Sequence, residues 1–276
     1  MGQGPELPDK KTEEARAFLE SINTGDLETV RRMIRSNGDL LFAVDYPASA
    51  VTREHPEIAE YLARTELQRL REGTVPKTRL HDVIHDLGEA AHVSTGYRGC
   101  ESLRVEAAPV IAGFLAHDHW GVRYGAVSVL AHHWDMKQCA PTLQQMGLSD
   151  PDEFVRHLAV SAVGWLLRDS RDADATRYLL GIFRDPAQPA WVREEAYEGL
   201  VGIWQGEDTA HALYMRKSER KQVRRGDAER AGWGVQGGRQ TPLDREAIAR
   251  AVEAYENVWE EFVDWNFVAQ IEKEAG

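Results

Sequence analysis

Between residues 81 and 92 the chain carries its densest set of ligand-type side chains: His81, His85, Glu89 and His92, spaced i, i+4, i+8 and i+11. On a helix this spacing lines one face, and two imidazoles one turn apart can share a zinc-class ion. The same stretch supplies Asp82 and Asp86, which makes a charged solvent face the plainer expectation. No Cys pair, His-Glu-x-x-His sequence or second ligand-bearing helix is evident beside it, so neither a metal nor a cofactor is expected. Gly232-x-Gly234-x-x-Gly237 has the letters of a dinucleotide-binding turn. Glu229-Arg230-Ala231 supplies no buried strand before it, however, and Pro242 delays any helix after it, so the physics of that turn is missing.

The elements that position side chains announce themselves by repetition. An Asp near a turn is followed by Val-Arg, two residues, Ala and small apolar residues: Asp118 with Val122-Arg123 and Ala126-Val127; Asp150 with Val155-Arg156 and Ala159-Val160; Asp185 with Val192-Arg193 and Ala196-Tyr197. The Val-to-Val spacings are 33 and 37 residues, the period of a two-helix repeat. From about residue 100 to 218 this pattern resembles HEAT repeats of the type found in bilin lyases. The resemblance implies an all-α fold, an α-solenoid of outer and inner helices. Outer helices are expected near 105–117, 137–147, 173–184 and 208–217, inner ones near 119–134, 152–168 and 190–204. Two apolar stripes on the first inner helix agree: Val122, Ala126, Val129, Leu130 and His133 form one, Trp120, Tyr124, Val127, Ala131 and Trp134 the other. Gly121, Gly125, Ala159, Ala162, Gly164, Gly199 and Gly202 would let helices approach closely.

Within such a repeat, Arg123, Arg156 and Arg193 are expected to bond the turn Asp of their own or a neighbouring unit rather than to form a phosphate ladder. Trp120, Trp134, Trp165, Trp191 and Trp204 fall on inner helices and are expected to be mostly core. Tyr124, His132, His157, Trp165, Arg168, Glu194 and Glu198 are expected to face the concave side and bind a partner, since aromatics among charges make binding hot spots.

Residues 1–98 are expected to form a helical, ankyrin-like region. Thr12 to Ile22 has helical spacing, and Asn23-Thr24-Gly25-Asp26 breaks it and caps a second helix. Gly25 to Ile34 resembles the second helix of an ankyrin repeat, and His55-Pro56-Glu57-Ile58-Ala59-Glu60-Tyr61-Leu62 echoes it. The HEAT-like repeats would fill 99–218 and a basic, Gly-rich loop 219–242, with Arg216, Lys217, Arg220, Lys221, Arg224 and Arg225 at its start. A helix over 243–276 would cap the stack through Ile248, Val252, Tyr255, Trp259 and Phe262, its other face being acidic.

Composition narrows the functional classes. A net charge of −12 repels phosphate backbones and favours basic partners. Two cysteines, Cys100 and Cys139, argue against a disulfide framework and for a reducing compartment such as the cytoplasm. The opening Met1 to Lys10 has no apolar run, so no signal peptide is expected, and no membrane span is evident. Gly164-Trp165-Leu166-Leu167-Arg168 and Trp134-Asp135 resemble motifs of the HEAT-like alkylpurine DNA glycosylases, but the carboxylate position of that family is Gln138. Iron enzymes built on HEAT repeats use His-Glu dipeptides, absent from this sequence. The expectation is therefore a protein-binding solenoid, a cytoplasmic inhibitor or immunity-type protein for a basic partner. The alternatives are a glycosylase or DNA-binding relative, and a general adaptor.

Overall fold

The structure is a computed structural model that describes residues 13–44, 51, 53–92, 98–206, 208–210, 212–213 and 263–275. Every regular element among these residues is helical, and the chain divides into two compact units, Met1–Met136 and Lys137–Gly276. The basic, Gly-rich loop and the expected helical stripe from Ile248 to Phe262 lie outside the described residues.

The first unit contains α1 (Glu13–Asn23), α2 (Leu27–Ser36), α3 (Leu40–Ala43), α4 (Pro56–Glu72), α5 (Leu80–Ala90), α6 (Arg98–Gly113) and α7 (Trp120–Ser128). The expected break before α2 forms as the sequence suggests: Asp26 caps it by accepting the Thr29 N–H at 3.0 Å. Gly25 there has φ +75°, and a Cβ on it would stand 2.8 Å from His55 Nδ1, so both backbone and space require glycine. Proline opens α4 and Gly73, at φ +66°, ends it. Arg64 fastens α4 to α6, reaching Glu106 and Ser102 at 2.9 Å each, and this pairing holds the Glu106 carboxyl below its usual pKa. No family comparison supports an ankyrin-like assignment for this region.

The inner helix expected at 119–134 begins as α7 and then widens into a π-turn, Val129–His133. Its two apolar stripes are buried at Val122, Ala126, Val127, Val129, Leu130, Ala131 and Trp134, but Trp120 is 40% exposed.

The second unit contains α8 (Ala140–Ser149), α9 (Glu153–Leu166), α10 (Ala173–Arg184), α11 (Ala190–Gln205) and α12 (Trp265–Ala275). Helices α8 to α11 match the outer and inner helices expected over 137–204 to within a few residues, and most of the outer helix expected at 208–217 lies outside the described residues. Helix α8 pairs with α9, α10 pairs with α11, and α9 packs on α11. The close approach of α9 and α11 is made by a glycine pair: a Cβ on Gly164 would collide with the Gly199 backbone. Helix α12 lies on α10 through buried Phe267, Val268 and Ile271. Arg184 pairs with Glu272 at 2.7 Å, and Arg177 donates to the Ala275 carbonyl at 2.9 Å.

The repeated arginines are structural, and Arg123 and Arg156 bond the turn Asp of their own unit, as expected, through its backbone carbonyl. Each donates to backbone carbonyls around the turn: Arg123 to His117 and Asp118 at 2.7 and 3.0 Å, Arg156 to Asp150 at 2.8 Å, Arg193 to Phe183 at 2.9 Å. These carbonyls close the preceding segment, where a helix leaves its last acceptors unsatisfied. The turn carboxylates also accept from N–H groups, Asp150 from Asp152 and Asp185 from Ala187, both at 2.9 Å.

Candidate functional site

Among the described residues of the second unit, helices α9 and α11 leave a row of aromatic and charged side chains partly exposed. Asp152 starts α9 by accepting the Phe154 and Val155 N–H groups at 3.0 and 3.3 Å. From that start, Val155, Ala159, Ala162, Val163 and Leu166 are buried. Phe154, His157, Ser161, Trp165 and Arg168, stepping by three or four, are left partly or fully exposed. On α11 the open positions include Trp191, Glu195 and Glu198.

These side chains engage one another. The His157 ring lies 4.5 Å from the Trp191 ring, and its Nε2 stands 3.3 Å from Glu195 Oε1. The Phe154 ring is 6.2 Å from Trp191 on the same face. Trp165 is 38% exposed, with the Arg168 guanidinium 4.6 Å from its ring centroid and an Arg168 Nη1 bond of 2.6 Å to its carbonyl. Aromatic surface is thus held in fixed orientation beside charges of both signs.

Of the residues expected to bind a partner, His157, Trp165, Arg168 and Glu198 are accessible in the second unit. Glu194 is only 7% exposed, because helical phase turns it inward and gives the open position to Glu195. Tyr124 and His132, both half-buried, belong to the first unit, where Tyr124 lies edge-on to Trp120. Sequence reasoning missed Phe154 and Glu195 and treated Trp191 as core. The 154, 157, 161, 165, 168 stripe was available as a signal. The tryptophans are less buried than expected: Trp134 alone of the five lies in the core, at 3% exposure.

That burial bears on the glycosylase motif, since an indole enclosed by protein has no face to offer a base. Cys139 is half-buried, and burial raises its thiol pKa, which disfavours the nucleophilic thiolate.

In the first unit, His85 and Glu89 of α5 meet His133 of the π-turn. One ligand atom from each lies within 4.8 Å of the others. The second ligand-bearing element not evident in the sequence is this π-turn. Burial, foremost, lowers the His133 pKa; Glu89 opposes the shift, while His92 and His85 add to it. Of the sequence-selected histidines, His81 instead lies 3.5 Å from Asp82, and the His92 ring is 5.1 Å from that of His133.

No helix among the described residues is long and apolar enough to cross a membrane. No curated protein and no solved structure matches the chain. Residues 107–201 do match the family model described as HEAT repeats, and the fold is all-α, of the α-solenoid class.

Proposed function

We propose that this chain is a protein-binding HEAT-repeat module whose α9–α11 face captures a basic partner, acting in the cytoplasm as an inhibitor or immunity-type protein. One observation carries the reading: the His157–Trp191–Glu195 cluster and the Arg168-stacked Trp165 form pre-ordered aromatic contact area on adjacent helices. Rigid aromatics beside fixed charges lose little side-chain entropy on association, which is why such groups dominate interface energies. The net charge of −12 supports a basic partner, because opposite charge speeds encounter.

The test is affinity capture from the native host, comparing the wild type with Trp165→Ala and His157→Ala. Retention of one basic polypeptide by the wild type is expected, with each substitution weakening binding by about thirtyfold, the equivalent of roughly 2 kcal/mol at a hot spot. Unchanged retention by both variants, or an acidic captured protein, would contradict the reading.

A further inference from the structure

We propose that His85, Glu89 and His133 form a site for a borderline divalent cation of the zinc class, with a fourth coordination position left for water or an incoming ligand. Two imidazoles and a carboxylate are a donor set such an ion accepts, and three protein ligands leave one tetrahedral position open. The geometry is close to assembled. His133 Nδ1 stands 3.4 Å from Glu89 Oε1. Two ligand atoms on one tetrahedral zinc, each bonded at about 2.0–2.1 Å, are separated by about 3.3 Å, so this pair is already spaced for a shared ion. The buried His133 Nδ1 makes no hydrogen bond of good geometry, its polar neighbours being the Glu89 carboxylate and the Gly88 backbone. His85 is exposed, and a rotation of its side chain can close the remaining gap without moving the backbone.

Two features of the chain put His133 there. The π-turn Val129–His133 changes the winding at the end of the helix and sets the direction in which His133 projects. Such turns concentrate at functional positions. Gly88 supplies the second feature, since a Cβ on it would stand 3.1 Å from His133 Nδ1 and 2.6 Å from Val129 Cγ2. Glycine on α5, one residue before Glu89, is what lets the imidazole lie against that helix. An enclosed imidazole that resists protonation is also the form that binds metal.

Calorimetric titration of the full chain with Zn2+, after chelator treatment, tests the site. One equivalent is expected to bind, with a rise in melting temperature. His85→Ala and Glu89→Gln, both made at accessible positions, are expected to weaken binding by more than about tenfold, while His81→Ala leaves it unchanged. Circular dichroism of each variant confirms that the fold is retained. Absence of a stoichiometric ion overturns the proposal. So does binding that survives His85→Ala and Glu89→Gln, or that His81→Ala weakens equally.

Discussion

His133 shows how a single imidazole links burial to acid sensitivity. Its pKa lies below the ordinary value of 6.5, with Glu89, His92 and His85 as the neighbouring charges. As pH falls, the unfolded chain therefore takes up this proton before the folded one does. The stability of the neutral, buried ring is complete above about pH 6.5 and is lost as pH drops through the lowered folded value. With chelator present, urea midpoints of the wild type should fall below pH 6.5, and those of His133→Gln should fall less. Residue-level chemistry was only half legible in the sequence. The spacing of His85 and Glu89 on one helical face could be read directly, whereas their partner is 44 residues beyond Glu89 and sits on a turn whose winding no regular period encodes. Glu194 was misplaced for a related reason: a phase error of one residue on a helix exchanges the inward side for the outward one.

At the scale of elements, close packing makes specific positions intolerant. Gly164→Ala would drive a methyl group into the Gly199 backbone, where no flexible side chain can yield. It should cost about 1–3 kcal/mol in denaturant unfolding. The opposite sign is expected at Tyr178 on α10, whose buried hydroxyl has no hydrogen-bond partner and packs against Gly147. Tyr178→Phe should raise stability by about 1 kcal/mol in the same measurement, because an unsatisfied polar group leaves the interior. The helices themselves were the most legible feature, since the Asp…Val-Arg…Ala pattern marks each turn and each inner helix start. The glycines that permit contact were visible too. What the pattern could not give was the atom that each repeated arginine reaches, since Asp118 and Asp150 accept through their backbone carbonyls and a carbonyl acceptor leaves no mark on residue type.

For the whole molecule, the −12 charge sets the conditions under which the proposed capture can work. Association with a basic partner should slow by about tenfold or more between low and high ionic strength, as stopped-flow mixing would measure, while dissociation changes less. A salt-independent association rate would remove charge as the basis of recognition. The HEAT match ends at residue 201 and begins at 107, which is the region where repetition made the architecture readable. The earlier helices follow no such period, and what could be assigned there was local: the helical spacing up to Ile22 and the Asp26 cap.

The π-turn carries one more implication, which concerns chain length rather than composition. A π-turn holds one residue more than a regular helical turn, so deleting one residue from Val129–His133 would restore ordinary winding while the chain beyond keeps its facing. Trp134 would keep its enclosed seat, whereas a deletion in the regular turns of α7 would rotate it by about 100°. This segment is therefore the place in the helix where chain length can change at least cost.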